Sequence, residues 1–104
     1  MLVIVAMVAT GATLPPDAPK DIRCAASIVA MGRQTRGDDT AQSMAGRATT
    51  LQFYLGRLST RKEGIDWKAI NNQADELSPR PAETVRVVLS CSSDALMMQM
   101  PRAE

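Results

Sequence analysis

The sequence predicts an all-α protein: a small up-down bundle of about four helices with a disulfide joining the first and last helices. Three observations carry that expectation. Apolar residues recur at alternating steps of three and four along most of the chain, the period of a helix with one buried face. Only residues 85–89, Val-Arg-Val-Val-Leu, could be read instead as a strand, and no second strand is there to pair with it. Cys24 falls near the start of the first helical segment and Cys91 in the later part of the last, places that an up-down order of four helices sets side by side.

The first helix follows an extended leader carrying Pro15, Pro16 and Pro19, with Asp21 as its N-cap. Ile22, Ala25, Ala26 and Val29 form one stripe, and Cys24, Ile28 and Met31 an adjoining one, so this helix is apolar around much of its circumference and should be well buried. Gly32 is expected to stop it, before a polar loop over residues 33–37. Asp38 and Asp39 suit the start of the second helix, where the helix dipole favours negative charge. A calcium site there would need several more oxygen ligands at loop spacing, and they are missing.

The second helix has the clearest stripe: Ala41, Met44, Ala48, Leu51, Leu55 and Leu58. Gly46 and Gly56 each cost about 1 kcal/mol relative to Ala inside it, and close approach of another backbone is the simplest reason to expect a glycine at Gly56. A loop around Lys62 and Gly64 follows. Asp66 then caps a shorter third helix with Trp67, Ile70, Ala74 and Leu77 on one side. Pro79 and Pro81 punctuate its end, and Pro81 with Glu83 in the first turn suits a fourth helix carrying Val85, Val87, Val88, Leu89, Cys91, Ala95, Leu96 and Met98.

The chain has 104 residues, 45% hydrophobic, 22% charged and 3% aromatic, so it builds one domain with a thin core. A net charge of +1 lacks the basic excess that draws a domain onto nucleic acid or anionic lipid. There is no histidine, which removes Ser/His/Asp and Cys/His nucleophile pairs, imidazole zinc sites and any histidine pH switch.

Residues 2–9, Leu-Val-Ile-Val-Ala-Met-Val-Ala, followed by Thr10, Gly11 and Ala12, have the length and small-residue exit of a signal peptide. The alternative is a buried first helix. A membrane span needs about 20 apolar residues, and Gly11, Pro15, Pro16 and Asp17 end this run too early. The expected organisation is therefore a signal peptide over residues 1–12, cut after Ala12 or alternatively after Ala9, an extended leader over 13–20, and a single helical domain over 21–100. Asp-Ile-Arg before Cys24 argues against a lipid anchor.

In an exported chain this short, an even cysteine count implies a disulfide, here Cys24 with Cys91. A redox-active or catalytic thiol would want a Cys-x-x-Cys or an activating neighbour, and two thiolates alone fall short of four metal ligands. Tyr54, Arg57 and Arg61 form a candidate interaction patch; the competing reading is a packed aromatic face flanked by solvated arginines. Met97, Met98 and Met100 are a weak candidate for soft-metal binding, since thioethers prefer Cu(I), although methionine more often fills a core.

The stretch Cys24-Ala25-Ala26, then Phe53-Tyr54-Leu55-Gly56-Arg57-Leu58 followed by Arg61 and Asp66, then a late Cys91, resembles small exported helical proteins with one cysteine pair from alphaproteobacteria, of the sphingomonad type. The resemblance covers most of the mature chain and implies an exported, disulfide-bonded helical domain with no catalytic residues to carry over. Thr60-Arg61-Lys62-Glu63 stands where such proteins often have Gly-Arg-x-Pro, which leaves that turn open.

The function expected on these grounds is a non-enzymatic periplasmic or secreted protein with a structural or protein-interaction role, an unidentified protein partner and no cofactor. An acid-stress periplasmic chaperone is the alternative, and Met-based copper binding a weaker one. Ser90, Ser92 and Ser93 lack a nucleophile elbow, Lys20, Lys62 and Lys68 have no spacing that singles out a base, and Asp75 and Glu76 as neighbours point to different faces of a helix.

Overall fold

A computed structural model describes residues 17–35 and 40–100. The proposed signal peptide, most of the leader, Asp38 and Asp39 lie outside the described residues. The described residues form four helices and no strand: α1 (Ala18–Gln34), α2 (Ala41–Ser59), α3 (Trp67–Leu77) and α4 (Pro81–Gln99). The run 85–89 lies inside α4.

Helix α1 begins earlier than Asp21. Asp17 is the N-cap and accepts a hydrogen bond from the Lys20 backbone N–H, and Pro19 sits in the first turn, where its missing N–H costs nothing. The leader therefore turns helical by residue 18, and Asp21 is a buried residue inside the helix. Gly32 does not stop α1 either. The helix runs to Gln34 and closes through the Thr35 N–H bonded to the Met31 carbonyl. In α2 the cap is Thr40, whose hydroxyl accepts from the Ser43 N–H at 3.1 Å. Asp66 caps α3 through the Ala69 N–H at 3.0 Å, and Pro81 with Glu83 opens α4, both as the sequence predicts.

The packing is centred on α1. It touches α2, α3 and α4, whereas α2 and α3 each touch α1 and α4 but not one another, so they flank the α1–α4 pair. Small residues make this possible: Ala25, Ala26 and Ala30 of α1 have no exposed surface, and their short side chains let neighbouring helices approach closely. Tyr54 and Leu58 come in from α2, Ile70, Ala74 and Leu77 from α3, and Cys91 and Ala95 from α4.

The up-down sense is written in side-chain pairings. Lys20 meets Asp94, Cys24 meets Cys91 and Gln34 meets Thr84, so α1 and α4 run antiparallel. Asp21 near the start of α1 meets Arg57 near the end of α2, and Arg33 and Gln34 at the end of α1 meet Asp75, Leu77 and Ser78 at the end of α3. The Cys24–Cys91 disulfide joins α1 to α4, with Cα atoms 5.6 Å apart. Closing a loop of 67 residues is worth about 4 kcal/mol, set against a total of roughly 5–15 kcal/mol for a small domain.

Three expectations about buried faces are corrected. Met44 is 50% exposed, and Ala41 and Ala48 of the same stripe are exposed too, because no described helix lies against the first half of α2. Trp67 is 49% exposed at the very start of α3, ahead of the turn where Ile70 enters the core. Gly56 and Gly46 have nothing within 4 Å of where a Cβ would stand, so neither admits a close backbone. Among the described residues, no helix is long and apolar enough to cross a membrane.

Candidate functional site

Two polar clusters and a groove between α1 and α4 stand out among the described residues. The first cluster lies where α1 begins and α2 ends. Asp21 is 1% exposed and takes the Arg57 Nε–H on both carboxylate oxygens, at 3.1 and 3.2 Å. Burial pushes the Asp21 carboxyl above its ordinary value of 3.8, while the Arg57 charge and hydrogen bond pull it back. Arg57 also lies 5.8 Å over the Phe53 ring and donates to the Met98 sulfur at 3.4 Å. Phe53 and Tyr54 meet edge to face with centroids 5.1 Å apart.

Tyr54 is fully buried, and its hydroxyl donates to the Cys91 carbonyl at 2.6 Å. Burial, reinforced by the charges of Asp94 and Asp21, raises its phenol to about 12. The same residue thus ties α2 to the α4 turn that carries the disulfide.

The second cluster closes the opposite end of α1. The Gln34 amide nitrogen lies 3.0 Å from each of the Leu77 carbonyl, the Ser78 carbonyl and the Thr84 hydroxyl. Thr84 in turn donates toward the Leu77 and Arg80 carbonyls. The Leu77 and Ser78 carbonyls are ones that a helix end leaves without intrahelical partners, and here side chains from α1 and α4 cap α3. No buried side-chain nitrogen or oxygen among the described residues lacks a hydrogen-bond partner.

The candidate patch of Tyr54, Arg57 and Arg61 is not a surface in the fold. Tyr54 has no exposure, the Arg57 side chain is 16% exposed and committed to Asp21, and Arg61 faces Glu63 at 3.7 Å on the following turn. Buried pairing and aromatic packing take Tyr54 and Arg57 inward and leave Arg61 at the edge. The methionine candidates differ in their surroundings. Met98 is half-buried with its sulfur against a guanidinium, a neighbour that opposes a metal cation, whereas Met97 and Met100 are exposed.

Sequence reasoning missed the groove over the disulfide. Lys20, Arg23 and Cys24 of α1 face Arg86, Val87, Ser90 and Cys91 of α4 across a cavity of about 290 Å³. It exists because the seam between the two helices is filled by short side chains, the cystine and Ser90, with long cationic arms at its rim. The spacing carried a signal: Lys20 stands one turn before Cys24 and Val87 one turn before Cys91, so a Cys24–Cys91 pair necessarily brings them to one seam. Asp21 carried one too, as an acid on the apolar face of α1, with Arg57 beside the Tyr54 and Leu58 positions of α2.

The geometry defines a class: a cystine-stapled four-helix domain with polar clusters at both ends of its central helix. No family model matches the chain, and no curated protein or solved structure matches it.

Proposed function

We propose that this is a non-enzymatic protein of the periplasm or cell exterior that presents helix α4 to a protein partner. The observation that carries the reading is the outward face of α4. Val85, Leu89 and Leu96 are 43%, 64% and 61% exposed, and Met97 and Met100 extend the apolar surface at 67% and 54%. Val85 and Leu89 stand one turn apart, and Leu96 stands one turn before the C-cap residue Met100, so they make two apolar patches on the side of the helix away from Val88, Cys91 and Ala95, separated by the turn that holds Ser92 and Ser93. Apolar side chains gathered on one exposed helix face mark an interaction surface. The disulfide and the apolar run at residues 2–9 support an oxidising compartment.

The test places a photo-crosslinking amino acid at Leu89 in cells that export the chain, and repeats it with Leu96→Glu. The reading predicts a discrete adduct in the envelope or medium fraction that the charge abolishes, with the unfolding midpoint unchanged because Leu96 is exposed. Absence of any adduct, or an adduct that Leu96→Glu leaves intact, contradicts it.

The acid-stress chaperone alternative draws less support from these residues. Such a protein loosens when its carboxylates protonate, whereas the buried carboxyl of Asp21 takes up a proton more readily folded than unfolded. Copper binding at Met97, Met98 and Met100 draws less still, given the engagement of Met98 with Arg57.

A further inference from the structure

We infer that the groove over the disulfide is a binding site for a small monoanionic amphiphile, a carboxylate with a medium-length hydrocarbon tail. Three cations line it, Lys20, Arg23 and Arg86, and no acid does. Two of them are held by carboxylates outside the groove: Lys20 by Asp94 at 2.9 Å and Arg23 by Glu83 at 3.1 Å. Arg86 has no hydrogen bond or ion pair among the described residues. The groove therefore has room for one negative charge, and a polyacidic peptide would have to displace Asp94 and Glu83 to gain more.

Between the cations the lining is Val87, the cystine and Ser90, a mainly apolar floor suited to a hydrocarbon. The volume, about 290 Å³, lies just below the roughly 300–1,000 Å³ typical of ligand pockets, which favours a single medium-length chain over a phospholipid. A carboxylate supplies that one charge on two oxygens that match the planar guanidinium of Arg86. Ser90 stands one turn from Arg86 and supplies a hydroxyl beside the same headgroup position.

The site is distinct from the outward apolar face of α4, so it stands or falls separately from the partner surface. The test titrates the oxidised full chain with sodium octanoate while following backbone amide resonances by NMR, with sodium acetate and octyltrimethylammonium as controls. Octanoate is expected to shift the Arg86, Val87 and Ser90 amides saturably, while acetate, which lacks the tail, and the cationic amphiphile, which carries the opposite charge, do not. Arg86→Gln, at an exposed position with no partner to lose, is expected to weaken octanoate binding by about tenfold, the loss of one charge-assisted contact. Ser90→Phe, also at an exposed position, is expected to fill the groove and abolish binding. Equal binding of the cationic amphiphile, unchanged affinity in Arg86→Gln, shifts confined to Val85, Leu89 and Leu96, or no saturable shift at all overturns the assignment.

Discussion

At the scale of single residues, the Asp21–Arg57 pair is the most consequential contact after the disulfide. A buried carboxylate with its cation costs more to break than an exposed one, because the remaining partner keeps its desolvation without its counter-charge. Asp21→Ala is expected to destabilise the fold by about 3 kcal/mol near neutral pH, measured by urea unfolding. The pH dependence has an unusual sign. The folded-state value of Asp21 lies above 3.8, so the native state binds the proton more tightly than the unfolded chain. The proton-linked part of the Asp21 contribution is therefore fully present below 3.8 and is lost as pH rises through the folded value, whereas the pairing with Arg57 persists at neutral pH. The stability margin of the native chain over Asp21→Asn should widen on acidification; a margin that narrows would mean that Arg57, and not burial, sets the carboxyl. Tyr54 behaves alike at the alkaline end. With its phenol raised from 10.0 to about 12, stability should fall as pH rises between those values, and Tyr54→Phe should remove that fall while costing about 1 kcal/mol for the lost bond to Cys91.

At the scale of helices, periodicity located all four elements but not what each one packs against. The stripe from Ala41 to Leu58 has an even rhythm, yet only its second half is covered, since Tyr54 and Leu58 meet α1 and α4 while Met44 meets solvent. A period reports which residues share a face, and the partner of that face is a long-range fact that no local pattern holds. The sequence points to a later start of α1 for a local reason: Pro19 looks like leader, although a first-turn proline forfeits no helix hydrogen bond and Asp17 is in place to cap. At Gly56 the sequence leaves two explanations of a helical glycine, crowding and tolerance, and the open space around it selects the second. Gly46→Ala and Gly56→Ala should accordingly each raise stability by about 1 kcal/mol, read as a higher unfolding midpoint. A loss at Gly56 would reveal a surface that packs there in solution.

At the scale of the whole molecule, a chain with 3% aromatic residues holds together by distributing its constraints. Alanines let α1 sit among three neighbours, polar clusters fix both of its ends, and the disulfide pins it to α4. The pairing of Cys24 with Cys91 was legible because two cysteines permit one partner each and the up-down order sets them together. The groove beside them was not, because it depends on which side chains are too short to fill a seam. The same staple leaves the opposite side of α4 free to face outward, which is where the proposed partner surface lies. The central claim is that this domain works oxidised and outside the cytoplasm. It is tested most directly by the intact mass of the protein recovered from the envelope or medium of a Gram-negative host expressing the full chain. The account predicts a species lacking residues 1–12 and lighter by two hydrogens than its dithiol form, the signature of export and of the Cys24–Cys91 bond together. A full-length chain recovered from the cytosol with both thiols free would contradict it.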